Sequence, residues 1–186
     1  HWPHFVRNRS EQFEARTVMV EVLETHSLLL AGMGKVTFLE AHGNSASEEI
    51  VTAYVNQNYS EAVLAAQLND PGNLYHLIYY SGAPAGYSKI IYNISNTNIS
   101  SPHVTKLERI YLLKEFYGLD LGRELLDYNM VLSKKQDQAG MWLFVWKENH
   151  RAINFYNKAG FKIIGSHDFK LSEKHVNPNH VMFLKY

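Results

Sequence analysis

Trp142-Leu-Phe-Val-Trp-Lys-Glu-Asn-His-Arg-Ala-Ile-Asn-Phe-Tyr-Asn-Lys-Ala-Gly-Phe161 passes from large apolar residues to a helix start and then to a stop. Met141 to Trp146 is continuously apolar, which predicts a strand buried on both faces. Asn149 is a preferred N-cap, because its side-chain oxygen accepts a hydrogen bond from a free backbone N–H of the first turn. A helix is expected from there to Ala159, with Gly160 closing it. Asn149 then sits at a strand-to-helix junction and Tyr156 about two turns further along.

Upstream lies Lys106-Leu-Glu-Arg-Ile-Tyr-Leu-Leu-Lys-Glu-Phe-Tyr-Gly-Leu-Asp-Leu-Gly-Arg-Glu-Leu-Leu126. A strand, Val104 to Leu113, enters a short glycine-containing loop and then a helix. Consecutive N–H groups at a helix start, aided by the dipole, form a site for phosphate. Gly118 and Gly122 let the backbone approach a ligand without a Cβ in the way. The same two glycines also suit a plain strand-to-helix turn.

Working outward, Thr17 to Glu24 alternates apolar and polar, the period of a half-buried strand. Thr25 to Leu39 reads as a helix. Ser45-Ala46-Ser47-Glu48 has the spacing of a capping box and opens another through about Asn56. Ser60 caps a third, Glu61 to Leu68, which Asp70-Pro71-Gly72 stops. Leu74 to Tyr80 and Tyr87 to Ile94 form a strand pair, with Gly82 to Gly86 as the turn. Gly118 to Gln138 carries Leu121, Leu125, Tyr128 and Leu132 on one helical stripe, and Gly140 is placed to cap it. Phe161 to Ile164 and Val181 to Leu184 complete the strands. The sum is a mixed α/β single domain over 18–186, with residues 1–17 an N-terminal extension or arm.

The 186 residues include 18 basic and 18 acidic side chains, so no global field recruits nucleic acid or an anionic membrane. Hydrophobic residues make up 46%, enough for a globular core. The chain contains no cysteine, which excludes a disulfide framework, a thiol nucleophile and a thiolate metal site. With no apolar run of membrane-spanning length and no signal-type apolar stretch, a cytoplasmic location is expected. The ten histidines are scattered, without helical ligand spacing beside carboxylates, so no metal is expected.

Asn149, Ala152, Phe155, Tyr156, Gly160 and Phe161 together resemble the signature of the GNAT superfamily of N-acetyltransferases. Leu112 through Gly122 resembles the acetyl-CoA loop of the same superfamily. The specific motifs lie within residues 104–165. Within the superfamily, Leu107 to Tyr111 and Val145 to Ile153 look most like PaiA-type polyamine acetyltransferases.

The resemblance implies a single twisted mixed sheet flanked by helices, its central strands splayed to admit acetyl-CoA. It implies transfer of acetyl from acetyl-CoA to a small-molecule primary amine, with a polyamine the first acceptor to consider, and a homodimer is compatible with it. Ile110, Tyr111 and Leu112 match the strand whose backbone pairs with the pantetheine arm, and the N–H of Leu112 would polarise the thioester carbonyl. Tyr117, Gly118, Leu119, Asp120, Leu121, Gly122 and Arg123 match the pyrophosphate loop, and Asn149 matches the residue holding the pantetheine end. Tyr156 matches the general acid. A phenol of pKa about 10 keeps its proton at neutral pH and can still pass it to a leaving thiolate. Tyr156 reads equally as a core aromatic at helical spacing from Ala152 and Gly160.

Glu108, two positions before Ile110, is expected on the same face and is a candidate base. It also suits pairing with a cationic substrate, with Arg109 or with Lys106. The loop departs from the family pattern at Tyr117 and at Asp120, which takes the place of a glycine. A carboxylate beside two phosphates repels them unless it points away. That departure keeps a second reading open, a non-catalytic acyl-CoA-binding or regulatory protein of the same fold.

Overall fold

The computed structural model describes residues 17–22 and 26–186. The extension expected over residues 1–17 lies outside them apart from Thr17. In chain order the elements are β1 (Thr17–Glu21), α1 (Ser27–His42), α2 (Glu48–Asn58), α3 (Glu61–Leu68), β2 (Leu74–Tyr80) and β3 (Ala83–Ile91). There follow β4 (Thr105–Leu112), α4 (Leu121–Lys135), β5 (Gly140–Trp146), α5 (His150–Lys158), β6 (Lys162–Ser172) and β7 (His175–Lys185).

The strands form one seven-stranded sheet in the order β1-β2-β3-β4-β5-β7-β6. Every neighbouring pair is antiparallel except β4 and β5. A parallel pair needs a crossover, and α4 supplies it. The architecture is the mixed sheet flanked by helices that the sequence predicts. On one face, Leu30 and Phe38 of α1 and Val51 and Val55 of α2 pack with Leu77, Tyr87 and Leu171. On the other, Leu126 of α4 and Tyr156 of α5 pack with Leu107, Met141, Leu143 and Val145. On the opposite face of β5, Trp142 is buried with Val104 and Val181, so both faces of this strand carry apolar residues and β5 is a continuous apolar run.

Several local expectations shift. The capping box does not form on Ser45: Ser47 is the N-cap of α2, while Ser45 is buried with its hydroxyl unpartnered. The β2–β3 turn is tighter than Gly82 to Gly86, because Ser81 and Gly82 both take positive φ (49° and 81°) and close a two-residue hairpin. Residues 83 to 86 instead continue β3, with Ala85 as an extra residue opposite the Ile78–Tyr79 step. Gly140 opens β5 rather than capping α4, which ends at Lys135 with Gln136 as its C-cap and Asp137 next at φ 52°. A Cβ on Gly140 would strike the Phe183 ring. The buried stripe of α4 runs through Leu126, Asn129 and Ser133 rather than Tyr128 and Leu132. Asn129 donates to the Ser88 hydroxyl at 2.8 Å, and Ser133 bonds Thr105 at 2.6 Å, so both buried polar groups are satisfied. The last two strands are far longer than the apolar cores that announced them.

Candidate active site

β4 and β5 are paired only at Thr105↔Met141 and Lys106↔Trp142. β5 meanwhile pairs with β7 along its whole length, from Gly140↔Lys185 to Trp146↔Asn179. The divergence begins at a bulge. Lys89 lies opposite Arg109, yet the next residue, Ile90, lies opposite Leu107, so Glu108 is an extra residue on β4. A bulge bends its strand and increases the local twist. Beyond it β4 leaves β5, and a cavity of about 540 Å³ opens through the gap.

The exposed edge of β4 carries free donors. The Leu113 N–H bonds the Ala85 carbonyl at 2.9 Å, so it faces β3. Because N–H groups alternate along a strand, those of Leu112 and Ile110 face the opposite edge, where β5 has already departed. The side chains of Ile110 and Leu112 pack toward α4, whereas Tyr111 packs toward α1 and α2.

After a single 3-10 turn at Lys114–Phe116, the chain bends through Gly118 at φ 82° into α4. Open space surrounds the position a Gly118 Cβ would take, so the glycine serves the backbone angle. Asp120 is the N-cap, left-handed at φ 57°, and its side chain makes no capping bond. Tyr117, Gly118 and Asp120 border the cavity, as do Leu121, Gly122 and Arg123 of the first turn. Leu119 does not: it is 42% exposed and lies outside the lining. Arg123 is committed to Asp127, at 2.9 and 2.8 Å, which reduces what its charge can offer a phosphate. Arg151, absent from the sequence expectations, also borders the cavity and stacks on the Tyr117 ring at 3.6 Å. Its place in the helix start after Asn149 was the available signal.

Asn149 caps α5, its side-chain oxygen accepting from the Ala152 N–H at 3.1 Å, and borders the cavity. Tyr156, two turns along, is 8% exposed and packs against Phe155 and Phe161. It also lines the cavity, so the core-aromatic reading and the site reading hold together. Burial raises its pKa above the ordinary phenol value, so it carries its proton at neutral pH.

The half of the cavity toward α1 and α2 holds residues that the sequence left unassigned. His42, in the last turn of α1, meets the Tyr111 hydroxyl at 3.2 Å, and burial lowers its pKa to about 4. Glu108 is here too, and this corrects its expected placement. The bulge breaks the alternation, so Glu108 lies with Lys106 and Arg109 rather than on the face of Ile110. Its carboxylate pairs with Lys106 at 2.6 Å. Burial pushes the Glu108 pKa up, but Lys106, Lys89 and Arg109 outweigh it and hold the group below the usual carboxylate range. Asn177 and Asn179 of β7 close the far wall.

No group of three or more His, Asp or Glu side chains able to hold a metal occurs among the described residues. None of their helices is long and apolar enough to cross a membrane.

The slot, the glycine loop and the helix start fit an acyl-CoA: two free N–H groups beside a gap, and an N-terminus with Arg151 over the adjoining loop. The model of the acetyltransferase (GNAT) family matches residues 40–161. An uncharacterized N-acetyltransferase of Lactobacillus delbrueckii subsp. lactis is 26% identical over 155 residues, 83% of this chain and 90% of that protein. One from Mycobacterium tuberculosis (strain ATCC 25618 / H37Rv) is 28% identical over 148 residues, 80% of this chain and 90% of its own. In fold, the chain is similar to the PaiA N-acetyltransferase from Thermoplasma acidophilum in complex with coenzyme A. The TM-score is 0.73 at 19% identity, covering 92% of this chain and 99% of that one.

Proposed function

The chain belongs to the GNAT family of acetyltransferases, enzymes that use acetyl-CoA as cosubstrate, and we propose that it transfers acetyl directly to a primary amine of a small molecule in the cytoplasm. Acetyl-CoA supplies an activated thioester. The protein's part is to hold and polarise it, to seat the amine, and to return a proton to sulfur. In this reading the Ile110 and Leu112 backbone holds the pantetheine arm in the gap beside β4, with Asn149 at its end. The Leu112 N–H meets the carbonyl oxygen as negative charge builds there. The loop from Tyr117 to Arg123, with Arg151, takes the diphosphate.

A neutral amine attacks the carbonyl carbon; the new C–N bond forms as the C–S bond breaks, and the nitrogen releases its extra proton to water. Tyr156 gives its proton to the departing sulfur and regains one from solvent. The lowered pKa of Glu108 makes it a poor receiver of an ammonium proton, so its better role is to hold the cationic acceptor before that proton leaves through water. The single observation that carries the reading is the parting of β4 from β5 after Lys106, with free N–H groups on the parted edge.

The PaiA-like residues make a polyamine one acceptor class to assay, and the PaiA enzyme shares the fold. It would meet Glu108 as the one carboxylate in the α1–α2 half of the cavity, among the described residues. Titrating CoA by calorimetry, then following thiol release with a panel of amines, tests the proposal. CoA-dependent release with at least one amine is expected. Binding of CoA without turnover on any amine would replace it with the acyl-CoA-binding reading.

A further inference from the structure

We propose that the acceptor amine also carries a carboxylate, and that Arg109 binds it. The proposal rests on the acetyl-transfer reading and names the class of acceptor. Arg109 sits on the β4 bulge with its guanidinium 4.6 Å from the centre of the Tyr59 ring. Its Nη1 donates to the Tyr75 hydroxyl at 2.9 Å; that hydroxyl in turn donates to Gln67, which also accepts from Lys89 at 3.1 Å. Every direct partner of Arg109 is therefore neutral. The nearby carboxylate, Glu108, is held by Lys106 instead.

A guanidinium presents five N–H donors in a rigid fork suited to a carboxylate, and one of the five is used here. Arg109 also lines the cavity. Glu108 feels the Arg109 charge but is bonded to Lys106, so Arg109 has no carboxylate of its own within hydrogen-bond reach and an anion in the cavity would supply one. Tyr59 and the Tyr75–Gln67 relay fix its position in advance, so little ordering remains to be done on binding.

An independent observation lies on the far wall. Asn179 is 7% exposed, borders the same cavity, and its side-chain oxygen has no hydrogen-bond partner. Its neighbour on that face, Asn177, is already engaged by His175 at 3.0 Å. A buried amide without a partner calls for a ligand group, and its oxygen calls for an N–H. The residues lining the pocket thus include a positioned cation, Arg109, and an amide, Asn179, whose buried oxygen has no partner. Lys106 and Lys89 lie beside Arg109, opposed by Glu108 and, at Lys89, by Asp70, so a polyamine would bring several more positive charges to a site that already holds three cationic side chains.

The test compares thiol release from the full chain with lysine against lysinamide, glycine against glycinamide, and spermidine, with rates expressed per neutral amine. The carboxylate member of each pair should have a kcat/KM about 10-fold or more above its amide, as expected for a charge-assisted pair. Arg109→Gln should bring the two members within about 2-fold while CoA affinity stays unchanged. If the amides equal or exceed the acids, or spermidine outruns both pairs, the proposal is wrong. Should Arg109→Gln fail to fold, the wild-type pairs decide the matter alone. No thiol release from any amine, with CoA bound, would instead remove the transfer reading and this proposal with it.

Discussion

The guanidinium of Arg151 lies 3.6 Å from the centre of the Tyr117 ring. One residue opens α5 and the other lies in the loop before α4, so the contact ties together two walls of the cavity that β4 and β5 leave open. It also holds a positive charge beside the helix start, where Arg123 is occupied by Asp127.

Arg151→Ala should therefore weaken CoA binding by about 5-fold to 10-fold while changing kcat by less than about 2-fold, since a cation near a diphosphate contributes to ground state and transition state alike. Calorimetric titration with CoA, set beside steady-state kinetics, measures both. An unchanged affinity would confine Arg151 to stacking on Tyr117.

Asp120 combines two liabilities, a left-handed backbone at φ 57° and a carboxylate at the N-cap that bonds no N–H of the helix. Asp120→Asn removes the charge and keeps a residue tolerant of that angle. It should tighten CoA binding by about 3-fold to 10-fold, with Asp120→Gly as good or better. If neither variant binds more tightly, the carboxylate points away from the diphosphate.

Tyr156→Phe should lower kcat by about 100-fold or more while leaving CoA affinity within about 2-fold, the pattern of a lost proton donor. Burial raises the Tyr156 pKa above the ordinary phenol value, so the wild-type rate should not decline on the alkaline side through about pH 9. Full activity in the phenylalanine variant, or an early alkaline decline, would remove Tyr156 as the acid.

His42 links the site to stability. Its pKa is near 4 in the folded chain, lowered by burial from an ordinary 6.5. Between those values the unfolded chain takes up a proton that the folded one refuses. Stability is thus full above about pH 6.5 and falls as the pH drops toward 4. His42→Gln should flatten that fall by about 1–2 kcal/mol, less than the full shift implies because the ring borders an open cavity. Urea melts of both proteins at pH 7 and pH 5 measure it. The same loss of stability in each would contradict the assignment.

Much of this protein could be read from short-range chemistry. Ser60 accepts from the Val63 N–H at the start of α3, Asn149 does the same for α5, and Gly160 at φ 98° ends α5. Caps, stops and apolar periods act within a few residues of themselves, so the sequence states them directly and places Tyr156 and the glycine loop in order along the chain. The remaining features depend on partners distant in the chain. Whether Glu108 follows the face of Ile110 is settled by β3, whose Lys89 and Ile90 span Leu107 to Arg109 and leave Glu108 as an extra residue. The length of β6 and β7 comes from pairing with each other, since their polar positions carry little periodic signal. Arg109 gains its neutral surroundings from Tyr59 and Tyr75, and Asn179 joins the same cavity from β7. A residue's charge and reach are properties of the residue, but what remains unpaired around it is decided when separate segments meet.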